Sequence, residues 1–218
     1  MKYSERVTES STPRSAISVS GTTSLAGWRA GAADDSKTVF GFWMYLMTDC
    51  VLFASLFATY AVLRTSTFGG PGGEVLFSPN FALSETLILL TSSFSCGLGI
   101  LAARRGRLRP VLVLFGITFL LGLAFLGLEV HEFAHLYNEG NSWRRSGFLS
   151  AFFTLVGTHG LHITTGLLWM GTMLFRLSRA GLNRTNVRQL TMLSLFWHFL
   201  DIIWIFIFTI VYLMGIVL

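Results

Sequence analysis

Charged residues are scarce in this chain. Asp, Glu, Lys and Arg make up 12% of its 218 residues, whereas 52% are hydrophobic and the mean hydropathy is +0.62. A soluble domain usually carries about 25% charged residues. The hydrophobic residues form five runs, at about 38–63, 81–103, 110–134, 148–175 and 190–217, each longer than the ~20 residues that cross a bilayer as a helix. The sequence therefore excludes a soluble domain and predicts an all-α, polytopic membrane bundle with five transmembrane helices.

Cysteine is also scarce. Cys50 and Cys96 lie inside hydrophobic runs and no C-x-x-C unit occurs, which argues against a disulfide framework or a zinc site. Residues 1–37 lack the apolar core of a signal peptide and are rich in Ser, Thr, Gly and Ala. We expect a disordered cytoplasmic N-terminal tail over 1–37, followed by one five-helix bundle over 38–218.

Basic residues are distributed unevenly between the two ends of the expected helices. With the N-terminus in the cytoplasm, 13 of the 16 Lys and Arg residues fall in cytoplasmic segments, and only Arg64, Arg144 and Arg145 fall outside. The positive-inside rule then predicts a cytoplasmic N-terminus and a periplasmic C-terminus. Topology and lipid headgroups account for the net charge of +5, so it does not indicate a nucleic-acid partner.

Every hydrophobic run nevertheless contains ionisable residues. A charge at the bilayer centre costs about 2.5–3.5 kcal/mol on insertion scales, so such residues normally face a bundle interior, a partner subunit or a lipid headgroup. By helical rise, one layer lies at mid-depth and a second lies toward the outer face. We predict buried polar, structural roles for Asp49, Glu85, Glu129, Glu132, His159, His162, His198 and Asp201.

The residue types leave alternatives open. His159 and His162, spaced i, i+3, form either a structural hydrogen-bonded pair or a pair of haem or metal ligands. For a haem with two histidine ligands, His162 and His198 on different helices could face one haem plane. Asp49, His198 and Asp201 are either structural or members of a proton relay, and an apolar setting disfavours ionised Asp49. From the residues alone, the chain is a helical membrane subunit or a small proton-coupled carrier. We assign no catalytic residue and no metal ligand.

Three stretches resemble subunit III of the haem–copper oxidases. Residues 156–162 (V-G-T-H-G-L-H) resemble the H-G-x-H stretch of that family, and residues 196–204 (F-W-H-F-L-D-I-I-W) resemble its W-H-F-x-D-x-x-W stretch. Residues 40–43 and 48–50 resemble its helix with a buried, carbodiimide-reactive carboxylate. The resemblance gives that carboxylate to Asp49, where many members have Glu.

The chain resembles subunit III of the bo-type branch of bacterial ubiquinol oxidases in its five spans and in residues 145–153 and 211–215. This resemblance implies an inner-membrane complex that oxidises ubiquinol, reduces O₂ to water and pumps protons. It implies that this chain is an accessory, non-catalytic subunit without a cofactor. Haem and copper would lie in the partner catalytic subunit I, and subunit II, a small subunit IV and phospholipids would be further partners. The alternative is a subunit III-like component of a cytochrome c oxidase or nitric oxide reductase.

Arginines cluster where the second and fourth spans are expected to leave the membrane on the cytoplasmic side. Arginine holds phosphate through paired donors. We therefore expect a phospholipid headgroup at Arg104, Arg105 and Arg176, with His198 nearby. The alternative is that these arginines only determine topology.

The first prediction concerns that topology. At the C-terminus, a reporter that works only in the periplasm should be active, and one that works only in the cytoplasm should be inactive. The reason is that the basic segments remain in the cytoplasm, which leaves the C-terminus on the other side. Paired fusions of alkaline phosphatase and green fluorescent protein measure this directly. A C-terminal fusion that is active only in the cytoplasm would refute it.

Overall fold

The computed structural model describes residues 21–67, 79–140 and 143–214, with side chains for 37–67, 81–140 and 143–214. These residues form five α-helices: α1 (Gly21–Leu63), α2 (Pro79–Arg104), α3 (Leu108–Asn138), α4 (Gly147–Ala180) and α5 (Arg184–Ile207). A π-helical segment, Phe208–Leu213, continues α5. The described part of the chain contains no strand, so the predicted all-α class is confirmed.

The chain divides into two compact units, Met1–Gly41 and Phe42–Leu218. In the first unit the structure describes helical backbone from Gly21, whereas the sequence predicts a tail up to residue 37. Four alanines between residues 26 and 33 favour a helix there, because alanine has the highest helix propensity. The rest of the expected tail, residues 1–20, lies outside the described residues, and the division at 37/38 stays a prediction.

Four of the five helices in the described chain are long and apolar enough to cross a membrane. The qualifying stretches are Lys37–Leu63, Phe81–Arg104, Leu108–Asn138 and Arg184–Leu213. Helix α4 has 34 residues, which is ample length, but it does not reach the same apolarity. Its Ser, Thr, His and Gly residues lower its hydropathy, and many of its positions pack against neighbouring helices rather than facing outward.

Local signals set the helix ends. The Ser146 hydroxyl accepts the Leu149 N–H at 3.1 Å, which caps the start of α4, and the Asn183 side chain accepts the Arg184 N–H at 2.8 Å at the start of α5. Two helices end in glycines with positive φ, Gly106 at 69° and Gly181 at 68°. A side chain would be strained in that conformation, so glycine permits the reversals that follow α2 and α4.

Consecutive helices run antiparallel, as the pairs of contacting residues show. Ser95 Oγ and Thr118 Oγ1 are 2.6 Å apart between α2 and α3. The rings of His159 and Trp204 stack at 5.4 Å between α4 and α5. Helix α5 also packs antiparallel against α2, because Trp197 donates to Ser92 while the later Trp204 donates to the earlier Thr86. Helices α4 and α5 therefore form the centre of the unit, and α2 and α4 point the same way.

Helix α1 meets this centre through long side chains rather than close backbones. Phe42 and Trp169 have ring centroids 6.2 Å apart, and Tyr60 and Phe148 have centroids 6.0 Å apart, both between α1 and α4. Phe57 meets Phe206 of α5 at 6.3 Å. The close backbone contacts are those of α2 with α3 and α5, and of α4 with α3 and α5. Rings thus fill the space between α1 and the rest.

The second prediction tests a close approach of α3 to α4 and α5. A Cβ at Gly122 would lie 2.7 Å from Trp197 and 2.8 Å from Leu167. Gly122→Ala should therefore force α3 away from α4 and α5, at a cost of roughly 1–3 kcal/mol, typical of overpacking. The thermal unfolding temperature of the purified protein in lipid nanodiscs measures the effect.

Gly127→Ala is the matched control on the same helix, since a Cβ at Gly127 would meet nothing within 4 Å. It should leave the unfolding temperature unchanged or raise it slightly, because alanine is a better helix former than glycine. If both variants unfold at the same temperature, the close approach at Gly122 is not a constraint.

Candidate functional site

The polar residues predicted from the sequence form three groups within the bundle, and His159 lies apart from them. Five are buried: Asp49, Glu85, Glu129, His159 and Asp201 expose between 0% and 8% of their surface. Glu132, His162 and His198 are partly buried. The groups draw residues from different helices, so each joins segments that are distant in sequence.

The first group joins Asp49 of α1 to His162 of α4. Asp49 Oδ1 lies 3.7 Å from His162 Nε2, while His162 Nδ1 lies 2.7 Å from the Thr158 carbonyl oxygen. A carbonyl only accepts hydrogen bonds, so Nδ1 is the donor and carries a proton. Nε2 is then the ring nitrogen that faces the Asp49 carboxyl.

His159 has quite different surroundings, although it is only three residues away. Its ring stacks on Trp204 at 5.4 Å and meets Phe125 edge-on at 6.1 Å and Phe53 at 6.3 Å. Neither ring nitrogen has a hydrogen-bond partner among the described residues. His159 and His162 share contact with Phe53 rather than a hydrogen bond, so here the structure differs from the expected hydrogen-bonded pair. The reason is the helix turn, which directs His159 to α5 and His162 to α1.

The second group lies between α2 and α5. Ser93 Oγ lies 2.6 Å from His198 Nδ1, and Asp201 follows His198 by one turn on the same helix. His198 also lines an open groove with Ser93, Phe94, Gly97 and Leu98. This link can orient the imidazole, and the groove leaves its ring accessible from the side of the bundle.

The sequence reasoning did not find Ser93, nor the other hydroxyls of α2 that face α5. Ser92 and Thr86 accept the indole N–H groups of Trp197 and Trp204, each at 3.1 Å. A small hydroxyl in an apolar run is ambiguous, because it often bonds its own backbone. One sequence signal could have indicated these contacts: Trp197 and Trp204 are seven residues apart, and Thr86 and Ser92 are six residues apart on a helix expected to be antiparallel.

The third group is made of carboxyl groups near one end of the bundle. Glu85 comes from α2, and Glu129 and Glu132 come from α3. Glu132 Oε2 accepts the Tyr212 hydroxyl at 2.8 Å, and Tyr212 lies on the π-helical segment. Glu85 interacts electrostatically with both other carboxyls. Tyr212 is a further residue that the sequence reasoning missed.

The structure does not favour a haem or metal site. His162 turns to α1 and His198 to α2, so the two imidazoles do not face one haem plane. The sequence contains E-x-x-H at 132–135, but Glu132 bonds Tyr212 while exposed His135 lies 3.4 Å from Glu139. Within the residues that the structure describes, no three His, Cys, Asp or Glu residues are grouped to hold a metal ion.

The arginines of the expected lipid site lie at one end of the bundle, since α2 and α4 point the same way. Arg104 and Arg105 are exposed at the end of α2. Arg176 near the end of α4 is also exposed, and it donates to Gln189 Oε1 at 3.1 Å. This end is opposite to the carboxyl group. The structure leaves these arginines accessible, and the lipid site stays a prediction.

Comparison with known proteins identifies the family of this chain. The family model of cytochrome c oxidase subunit III matches residues 19–216. The chain belongs to the cytochrome c oxidase subunit III family. This subunit III chain is 57% identical over 179 residues to a protein of Pseudomonas aeruginosa described as cytochrome bo(3) ubiquinol oxidase subunit 3, a match that covers 82% of the chain and 86% of that protein.

Two further members show the breadth of the subunit III family. A protein of Pseudomonas putida, also described as cytochrome bo(3) ubiquinol oxidase subunit 3, is 53% identical over 82% of the chain and 86% of its own length. A cytochrome c oxidase subunit 3 of Bacillus sp. PS3 is 46% identical over 87% of the chain and 91% of its own length. The resemblance found in the sequence is confirmed.

The third prediction concerns Asp49 in the first group. A hydrophobic carbodiimide should modify Asp49, because it reacts with protonated carboxyls and Asp49 is 6% exposed within an apolar helix. Asp49→Asn should abolish the label, and Glu139→Gln, at an exposed carboxyl, should leave it unchanged. Mass spectrometry of the labelled peptides locates the adduct. A label on Glu129 or Asp201 that spares Asp49 would contradict the assignment.

Proposed function

We propose that this chain is the accessory subunit III of a bacterial terminal ubiquinol oxidase, a complex that reduces O₂ to water and pumps protons. The observation that carries this proposal is the 57% identity to a bo(3) ubiquinol oxidase subunit 3, which extends over 82% of the chain. The buried polar groups fit a supporting role, because they join helices to one another.

The identity of the electron donor is the point on which family members differ. The two Pseudomonas bo(3) subunits are 57% and 53% identical to this chain, whereas the cytochrome c oxidase subunit 3 of Bacillus sp. PS3 is 46% identical. A quinol oxidase subunit 3 of Bacillus subtilis is also 46% identical, so the lower value does not separate the two donors. The higher identities favour ubiquinol over cytochrome c.

The proposed division of labour leaves the chemistry to partner chains. Haem and copper belong to catalytic subunit I, and subunit II and a small subunit IV complete the complex. This chain then holds no cofactor and contributes no catalytic residue. Its histidines fit that role, because His162 is engaged by Thr158 and Asp49, and His198 by Ser93.

We further propose that all five helices span the bacterial inner membrane, with the N-terminus in the cytoplasm and the C-terminus in the periplasm. Helix α4 lies between α3 and α5, which are both apolar enough to span. Its threonines satisfy their hydroxyls within the helix, as Thr154 donates to Ser150 and Thr164 to Gly160. An antiparallel helix that packs between two spans and satisfies its hydroxyl groups internally can cross with them.

Purification of the complex through an affinity tag on this chain tests the proposed function. In mild detergent the chain should bring down haem- and copper-containing partners, and the preparation should consume O₂ with ubiquinol and not with reduced cytochrome c. O₂ uptake with cytochrome c alone would place the chain in a cytochrome c oxidase. Purification without a haem-containing partner would refute membership of an oxidase.

The fourth prediction concerns phospholipid at Arg105 and Arg176. Replacement of both by Gln should lower the phospholipid retained by the purified complex and loosen this subunit, while the haem spectrum stays intact. Arginine binds phosphate through two parallel donors, which glutamine cannot supply. Phosphorus analysis and subunit stoichiometry after detergent washing measure the two effects.

A double Lys variant of the same two positions is the control for topology. Lysine keeps the positive charge that orients the helices but lacks the planar pair of donors. It should insert normally and still lose part of the bound lipid. If the Gln variant retains its lipid and its subunit, the arginines serve topology alone.

A further inference from the structure

The carboxyl group near one end of the bundle has features that its packing does not explain. Glu85, Glu129 and Glu132 come together from two helices where α2 begins and α3 ends. Glu85 and Glu129 expose 0% and 2% of their surface. Three acidic groups from two helices therefore lie at this end of the bundle, two of them buried.

The neighbours that act on these carboxyls include one another and the Tyr212 hydroxyl. Neighbouring like charges disfavour the ionised form, and burial disfavours it further. Three carboxylates side by side are therefore disfavoured, and this favours protons on the group.

Glu85 points to the same conclusion independently. It enters from α2 with both carboxyl oxygens buried and without a hydrogen-bond partner among the described residues. Glu129 Oε2 is in the same condition. A buried ionised carboxylate without donors is strongly destabilised, whereas a protonated carboxyl loses far less on burial.

The Tyr212 hydroxyl decides which member carries negative charge. Tyr212 donates to Glu132 Oε2 at 2.8 Å, and a hydrogen bond to a carboxylate favours its ionised form. The donor is delivered by the π-helical segment Phe208–Leu213, an unusual backbone form that is frequent at functional sites. One negative charge thus belongs on Glu132, and the protons belong on Glu85 and Glu129.

Access to the group runs through Glu132. Glu132 is partly exposed, whereas the other two carboxyls and Tyr212 are buried. On the α4 side the space for Glu129 is provided by Gly160, where a Cβ would lie 2.5 Å from Glu129 Oε1. The backbone of α4 therefore closes one side, and Glu132 is the member that can exchange protons with the outside of the bundle.

We propose that Glu85, Glu129, Glu132 and Tyr212 form a proton-binding site, in which Glu85 and Glu129 hold protons at neutral pH and Glu132 exchanges them with the end of the bundle. The ligand is the proton, and the site is separate from the Asp49–His162 pair. The proposal does not depend on which electron donor the complex uses.

Infrared spectroscopy of the purified complex tests the site. The wild-type spectrum minus that of Glu85→Gln, or of Glu129→Gln, should contain the carbonyl stretch of a protonated carboxyl, and that band should shift in D₂O. Glu139→Gln, at an exposed carboxyl, is the control and should remove carboxylate bands only. Gel filtration and the haem spectrum confirm that each variant is assembled.

Tyr212→Phe provides a test of opposite sign. Loss of the hydroxyl donor should protonate Glu132, so the protonated carboxyl signal should increase. Glu132→Gln should slow the D₂O shift of the remaining band, because it removes the exchange group. Variants at positions 85 and 129 that remove only carboxylate bands would overturn the proposal, since a cation would then have to neutralise the group. A protonated band that is unaffected by both Tyr212→Phe and Glu132→Gln would overturn it as well.

Discussion

The hydrogen bonds between α2 and α5 are the constraint on which the rest of the bundle depends. Two indole N–H groups on α5, those of Trp197 and Trp204, each find a hydroxyl acceptor on α2 at 3.1 Å. In hydrocarbon, a buried donor without a protein acceptor cannot hydrogen-bond to water instead. These pairs fix the axial register of α5 against α2, and that register brings His198 to Ser93 and Tyr212 to Glu132. The two groups that involve α2 therefore depend on this alignment.

The helical class could be predicted from the sequence because it depends on local composition, and the same composition makes the polar positions visible. The runs of apolar residues predict the helices, and Asp49, Glu85 and Glu129 stand out as charges in hydrocarbon. The sequence predicts α4 as a fifth apolar run, yet its polar composition separates it from the other four. Its character follows from its central place in the bundle, which composition alone does not reveal.

The partners of the polar residues could not be predicted in the same way. Ser93 and Tyr212 are ordinary residues in apolar runs, and their importance appears only when α2 lies beside α5 and its π-helical continuation. These helices are separated by two others along the chain, so short loops and nearest-neighbour reasoning do not predict their contact. Membership of the subunit III family supplies the wider context that the residues do not.

Gly160 illustrates how strongly one small residue limits its surroundings. The space that a methyl group would occupy there is already filled by the carboxyl of Glu129. Positions 129 and 160 are therefore free to vary in evolution only as a pair: a relative with alanine at the second needs a shorter side chain at the first, or a wider gap between α3 and α4. In a chain with alanine at position 160 alone, the methyl group would overlap the Glu129 carboxyl.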